Sequence, residues 1–487
     1  MTRVSRAMPA VFLAALGLSA LRPIDDADFW WLLRAGRYMV ETRSFPTTDP
    51  FSATAQGATW LNHAWGFELL IYGLYALWGT TGVILLQGIT ATATGSVLYR
   101  LLRREGLGRG WSIGLLSMGA LAMHGFWSPR PQLVTYFILA LFVSVLADYQ
   151  AGRGNRLWWL PLLTALWANL HAGFLSGPLL VALCAAGELC GWALGDDTGR
   201  AGGLARARVL AFWSALTVLA SLANPFHYHA ILFPFQVMGE ELSQAWISEW
   251  ASPPFSHPQV LVLELLLGLF LLLALGTAQP IPWRDLVVLV PLVHLGLQAT
   301  RNTPLLVIVA TPILGRAAAA CAQAHWPRLD GLVRRAIAVG TAGLVLSACS
   351  MVAGSRRPAQ VWSAFRPTFG VAESLPTGAA EFLRREGRPG TLWNEYVWGG
   401  FLIWHLYPEL RVSIDGRMAV YGPARFSEHL AVSELTPGWQ EVLDRLDPTA
   451  AVVRSGAPLV SALRAAGWAV RYEDGVATVL EPPGRSG

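Results

Sequence analysis

The chain of 487 residues contains no lysine, so all 36 of its basic side chains are arginine, against 31 Asp and Glu, for a net charge of +5. Charge of either sign is scarce: 14% of residues are charged and 54% hydrophobic, where soluble domains carry roughly 25% charged residues. That composition excludes a soluble globular protein and indicates a polytopic membrane protein. In such a protein an arginine excess decorates cytoplasmic loops, so nucleic acid is not an expected partner. Cysteine is nearly missing too. Cys184, Cys190, Cys321 and Cys349 lie singly in apolar runs, with no Cys-x-x-Cys pair, which removes a disulfide framework and a thiolate metal site and leaves small core residues. There is no internal repeat and no low-complexity segment.

Apolar runs measured against the roughly 20 residues a span requires predict helices near 7–22, 82–102, 111–127, 131–148, 157–172, 174–195, 209–223, 258–278, 285–299, 303–322 and 335–354. These make about eleven spans. Met1 to Arg22 imitates a signal peptide, but its removal would detach the segment that follows from its first helix, so retention is expected. The positive-inside rule places Arg3 and Arg6, the Arg100 to Arg109 cluster, Arg153, Arg156, Arg200 to Arg208, Arg284 and Arg328 to Arg335 on the cytoplasmic side, with the amino terminus. Counting Ala64 to Gly79 as a further span would invert this order, so that segment is read as a juxtamembrane or re-entrant helix of the first outer loop. The chain thus divides into a transmembrane domain, 1–354, whose first outer loop is 23–81, a Pro- and Arg-bearing linker, 355–376, and a small extracytoplasmic α/β domain, 377–487. Within that last domain Glu381 to Arg385 and Trp439 to Leu446 read as helices. Arg411 to Ile414, Ala450 to Val453 and Trp468 to Tyr472 read as strands, and Val476 to Leu480 closes the domain.

This topology collects the unusual polar residues on the outer side. Asp25, Asp26 and Asp28 follow the first span directly and precede Phe29-Trp30-Trp31; ionisable groups at a membrane mouth are functional candidates. Phe29 to Glu41 has the pattern of an interfacial amphipathic helix, with Trp30 and Trp31 at headgroup level. Asp26-Ala27-Asp28 can cap that helix, bind a divalent cation such as Mg2+ or Mn2+ together with Glu249, or split acid and base roles. Arg130, in Ser128-Pro129-Arg130-Pro131, and Arg301, in Arg301-Asn302-Thr303-Pro304, sit at outer ends against the positive-inside trend. Each can either snorkel to headgroups or clamp a phosphate. The histidines, including His63, His124, His171, His227 and His229, lack the i, i+4 spacing of a helical zinc motif and read mainly as interfacial hydrogen-bonding groups.

The layout of many spans, an acidic first outer loop on juxtamembrane helices, Asn62-His63 before a second apolar segment, and a carboxy-terminal outer domain resembles the GT-C membrane glycosyltransferases. That superfamily includes protein O-mannosyltransferases, lipid A aminoarabinose transferases and oligosaccharyltransferase catalytic subunits. The resemblance covers the whole layout and is sharpest over residues 23 to 70. It implies transfer of a sugar, with inversion, from a polyprenyl-phosphate donor to a saccharide, lipid or protein acceptor at the bilayer. Asp26 or Asp28 takes the place of the catalytic carboxylate, Arg130 and Arg301 hold the donor phosphate, and Trp30, Trp31, Asn62 and His63 contact substrate. No prolines follow His63, unlike the His-Pro-Pro of relatives. The stretch Trp393-Asn394-Glu395-Tyr396-Val397-Trp398-Gly399-Gly400, with Asp415-Gly416-Arg417, is distantly similar to the acceptor-binding Trp-Trp-Asp-Tyr-Gly motif, which implies that Glu395, Asp415 and Arg417 face the acceptor; as plain residues Gly399-Gly400 read as a turn and Asp415 with Arg417 as a surface pair. The arginine-only, alanine-rich composition suits a high-GC bacterium, hence a bacterial inner membrane. A lipid-linked saccharide flippase would show charged residues within spans and inverted repeats, and neither is evident. A non-catalytic envelope-assembly protein of the same fold remains the other alternative.

Overall fold

A glycine divides the longest helix among the described residues. In the computed structural model, which describes residues 3–195, 200–238, 248–254, 258–275, 281–325 and 374–484, the helix Trp65–Arg104 is broken at Gly79, whose φ of 61° and ψ of −152° no helix contains. A side chain there would be strained, and glycine is not. Four residues later the chain passes from one compact unit to another: Pro23–Val83 groups with Pro367–Gly487, while Met1–Arg22 groups with Ile84–Arg366. Residues 23–83 therefore pack with the carboxy-terminal segment. The expected helix 335–354 and residues 355–373 of the expected linker 355–376 lie outside the described residues.

The larger unit contains α1 (Arg3–Ser19), the second part of α3 (Trp65–Arg104), α4 (Arg109–Ala122), α5 (Gln132–Gln150), α6 (Trp159–Ala168), α7 (Ser176–Leu194), α8 (Gly203–Ala220), α9 (Tyr228–Met238), α10 (Pro258–Leu275), α11 (Trp283–Gln298) and α12 (Thr303–His325). Its interior is aliphatic and aromatic, with Phe12, Leu101, Ile113, Phe142, Trp167 and Ile308 fully buried. Among the described residues five helices are long and apolar enough to cross a bilayer, and three shorter apolar helices accompany them. Two of the expected spans are cut short locally: α4 and α6 stop after 14 and 10 residues, and short 3-10 turns at His124–Phe126 and Ala172–Leu175 follow them.

Charged side chains in this unit gather where α3, α5 and α7 end and α8 and α11 begin. Glu188, 4% exposed, accepts from Arg206 at 2.8 Å and lies 4.0 Å from Arg284. Arg316 meets Asp285 at 2.6 Å and Glu105 at 3.7 Å, and Arg153 joins Glu105 to Asp148. Arginines separated widely in sequence thus share one end of the bundle through acidic partners, which is how charge survives in so apolar a chain.

The second unit contains α2 (Ala27–Thr42), the first part of α3 and a five-stranded sheet with its helices. In chain order these are α13 (Thr377–Glu386), β1 (Gly390–Asn394), α14 (Gly399–Leu406), β2 (Leu410–Val412), α15 (Met418–Ser433), α16 (Trp439–Leu446), β3 (Ala450–Arg454), α17 (Pro458–Ala465), β4 (Ala469–Glu473) and β5 (Ala477–Glu481). The strand order is β2-β1-β3-β5-β4. β1 runs parallel to β2 and β3, and β5 pairs antiparallel with β3 and β4. The outer edge of β2 is not left open. Ser52 of the first loop bridges to Val412 in parallel, Ala53 donates its N–H to Val412 O at 2.9 Å, and the Thr54 hydroxyl donates to Ser413 O at 2.6 Å. A loop laid on a strand edge satisfies its hydrogen-bonding groups and closes it to other chains.

Candidate functional site

The acidic stretch begins as a helix cap. Asp26, at φ −84° and ψ 118°, accepts the Asp28 N–H on Oδ1 at 2.9 Å and starts α2; a carboxylate there also meets the positive end of the helix dipole. Asp28 sits in the first turn, one turn before Trp31, and accepts the indole Nε1–H on Oδ1 at 3.1 Å. The helix then buries Phe29, Trp30, Leu32 and Leu33 against α14.

Trp30, expected as a sugar-stacking residue, is instead core. It is 2% exposed and packs edge-on against Phe401 at 5.3 Å, with Trp404 and His405 beside it. At that burial no ring face is open to a sugar. Trp31 is only half-buried and stays next to the carboxylate.

Asp415 and Arg417, expected to face an acceptor, are 0% and 5% exposed. Arg417 donates Nε to Asp415 Oδ1 at 2.8 Å and Nη2 to Oδ2 at 2.6 Å, a two-pronged pair, and its Nη1 reaches Asp49 Oδ1 at 2.7 Å. Tyr421 donates its hydroxyl to Asp415. Asp49 also accepts the Phe51 and Ser52 N–H groups at 3.0 and 3.1 Å and the Ser52 hydroxyl. Aromatic rings enclose the guanidinium: Trp60 at 4.7 Å, Phe51 at 5.1 Å and Trp31 at 6.0 Å from its carbon. Burial by itself would raise the Asp49 carboxyl, but the charge of Arg417 and the donors from Ser52 and Phe51 outweigh it and hold the group below the usual range. Burial works against the charge of Arg417 as well, and the two aspartates overcome it and push its proton affinity up. This cluster ties the first loop to the carboxy-terminal sheet.

Three glycines make the approach possible. A Cβ on Gly400 would lie 2.4 Å from Ala27 O, one on Gly399 would lie 2.1 Å from Ile414 O, and one on Gly416 would lie 1.7 Å from Asp28 Oδ1. The start of α14 therefore lies backbone to backbone on the first turn of α2 and on the turn at 414–416, and Gly416 lies against the Asp28 side chain. Glu395 is not in this group: its Oε1 accepts the Arg454 N–H at 3.1 Å, beside β3. Asn62, 2% exposed, donates to the buried carboxyl of Glu68 at 2.7 Å, and His63 is half-buried next to it.

In the helical unit, Arg130 donates to Glu249 at 2.7 Å, and Arg301 lies 4.3 Å from the Trp250 ring centre. Glu249 and its neighbour Trp250 thus meet Arg130 and Arg301. Nearby, Trp167 donates to the Thr135 hydroxyl at 2.8 Å, and Thr135 lies 2.6 Å from His171 Nδ1. For a divalent cation the donor set does not assemble: among the described residues no three His, Cys, Asp or Glu side chains gather. Asp26 caps α2, Asp28 accepts the Trp31 indole N–H and Glu249 pairs with Arg130.

The residues that sequence reading passed over are Asp49, Tyr421, Glu68 and Gly416. Only Gly416 carried a signal, as the middle of Asp415-Gly416-Arg417.

No protein-family model matches the sequence, and no curated protein does. Solved structures do match. The oligosaccharyltransferase of Archaeoglobus fulgidus in its apo form is 12% identical, with a TM-score of 0.60 over 93% of this chain and 70% of that one. The same enzyme tethered to an acceptor peptide containing the NVT sequon gives 13% and 0.56, over 92% of this chain and 69% of that one. ArnT from Cupriavidus metallidurans bound to undecaprenyl phosphate gives 15% and 0.52, over 98% of this chain and 96% of that one. At such identities the likeness is one of fold: the chain has the fold of the GT-C membrane glycosyltransferases.

Proposed function

We propose that this protein is a GT-C glycosyltransferase that moves a sugar from a polyprenyl-phosphate donor to a glycan, lipid or protein outside the cytoplasm, with Asp28 as the base. The observation that carries the reading is the packing of the first loop and the carboxy-terminal domain on the first turn of α2, around the Asp28 carboxylate. A fold shared with an oligosaccharyltransferase and with a transferase bound to undecaprenyl phosphate supports the donor and acceptor classes. In the proposed reaction Asp28 takes the proton of the acceptor hydroxyl, whose oxygen attacks the anomeric carbon, and the lipid phosphate leaves from the opposite face. Inversion in a single step requires one base and charge stabilisation at the leaving group. Arg130 and Arg301 are the proposed phosphate ligands. Asp28 is preferred over Asp26 because the Asp26 carboxylate caps α2. The proposal includes about eleven spans, an amino terminus in the cytoplasm and a carboxy-terminal domain outside the inner membrane of a bacterium.

The test is glycan and glycolipid profiling of a deletion strain complemented with wild type, Asp26→Asn or Asp28→Asn, with expression checked by membrane blot. Asn caps helices as well as Asp does, so Asp26→Asn should restore the lost saccharide while Asp28→Asn, normally expressed, should not. Full restoration by both would remove the loop from catalysis and leave a transport or assembly role.

A further inference from the structure

We propose that Gly416 and Trp31 are positioning residues for Asp28: the backbone of the 415–417 turn and the Trp31 indole together fix the carboxylate in one orientation. The inference rests on Asp28 being the base. Trp31 Nε1 lies 3.1 Å from Asp28 Oδ1. A Cβ at 416 would fall 1.7 Å from that same oxygen and 3.4 Å from the indole nitrogen. The glycine backbone thus fills the space on one side of the carboxylate, and the indole N–H holds it from another.

A wall positions something only if it is itself held. The turn is flanked by Asp415 and Arg417, both buried, joined to each other at two side-chain contacts and to Asp49. Behind it the start of α14 is wedged so tightly that a Cβ on Gly399 would come 2.6 Å from Asp415 Cα, and one on Gly400 3.2 Å from Trp31 N. The start of α14 therefore touches the backbone of both α2 and the turn, and between the turn and α2 lie the Asp28 carboxylate and the Trp31 indole. The buried ion cluster is what holds the turn in place, which gives Asp415 and Arg417 a task other than touching the acceptor.

Two effects follow. Reacting groups misplaced by about 1 Å lose on the order of 100-fold in rate, and a Cβ at 416 demands a shift of that size. An N–H that donates to a carboxylate favours its ionised form, so loss of the indole N–H raises the pH at which the base becomes protonated.

The test uses the deletion strain complemented with Gly416→Ala, Trp31→Phe and Asp28→Asn. The saccharide lost on deletion is quantified by mass spectrometry per unit of blotted protein, between about pH 5 and 8 of the medium. Thermal melting of the purified full chain in nanodiscs reports folding. Gly416→Ala should melt like wild type and yield roughly 100-fold less product. Trp31→Phe should yield about 10-fold less, with the acid limb of its pH profile moved to higher pH, a displacement that lost packing alone does not produce. A folded Gly416→Ala with wild-type yield, beside an inactive Asp28→Asn, overturns the proposal while leaving the functional reading intact. If Gly416→Ala does not fold, an unmoved acid limb in Trp31→Phe overturns it. If Asp28→Asn itself restores full yield, the functional reading fails and the proposal with it.

Discussion

Replacing Arg417 by Met keeps most of its volume and removes the one cation between Asp49 and Asp415, which are 1% and 0% exposed. Breaking a buried ion pair costs about 3–5 kcal/mol, because the abandoned charge stays in the interior. Two carboxylates are abandoned here, although Tyr421, Ser52 and the Phe51 N–H continue to serve them. For a unit of this size each kcal/mol moves a melting midpoint by roughly 2–4 °C, so the unit that holds the sheet should melt roughly 6–20 °C lower. Hydrogen exchange should show lost protection in two stretches far apart in sequence, 47–54 around Asp49 and 412–421 around Asp415. The pH dependence sharpens the test. In wild type Asp49 is held below the usual carboxylate range; the stability it contributes is present above the unfolded value near 4 and is lost as pH falls through its lower folded value. In Arg417→Met the unpartnered carboxylates can relieve their burial by taking up protons, so the gap between variant and wild type should narrow as pH approaches about 4. An unchanged midpoint, or a gap that stays constant with pH, would refute the account of Arg417 as the tie between loop and sheet.

Three further outcomes are expected. His429, 8% exposed and stacked on Trp393 at 5.4 Å, has its pKa pushed down to about 4 by burial; protonation favours the unfolded chain, so stability present above pH 6.5 falls by about 3 kcal/mol between pH 6.5 and 4. Thermal melts of His429→Phe should lose that acid-sensitive component, and an identical pH dependence in the variant would contradict it. On the proposed function, Glu249→Gln should strengthen binding of a polyprenyl phosphate to the purified protein, by removing the 2.7 Å charged partner of Arg130, whereas Arg130→Gln should weaken it about 10-fold or more; equal affinities in all three would exclude Arg130 from the proposed phosphate site. A fragment of residues 367–487 expressed alone should be poorly folded by circular dichroism, because α14 loses Trp30 and β2 loses the Ser52 strand edge; a monomeric, fully protected fragment would show that the loop is dispensable to the sheet.

Local pattern carried much of the architecture into view. Trp439–Leu446 is a helix over the range its amphipathic spacing predicts, and Ala450–Arg454 is a strand because a continuous apolar run of that length suits a buried one. Gly79 and the short apolar segment before it marked a break that the structure contains. What local pattern could not reveal is pairing across distance. Asp49, within Thr47-Thr48-Asp49-Pro50, reads as a turn residue, and its partner Arg417 is 368 positions away. Trp30 next to a carboxylate cluster reads as an interfacial or sugar-binding ring; that α14 covers it depends on Gly400, whose contact with Ala27 O is equally remote in sequence. Gly399-Gly400 was legible as a turn, whereas its use is to let two backbones touch.

The same remoteness bears on why arginine occupies position 417. A lysine ammonium offers a compact charge, but here one side chain must meet both oxygens of Asp415, reach Asp49 with a third N–H, and lie against Trp60 and Phe51. Only a planar guanidinium presents donors in a fork at its edge while its face remains apolar enough to contact rings. An Arg417→Lys variant keeps the charge and loses the fork, so its melting midpoint should fall between those of wild type and Arg417→Met. A midpoint equal to wild type would mean that charge alone secures the turn beside Asp28, and one equal to Arg417→Met that geometry does.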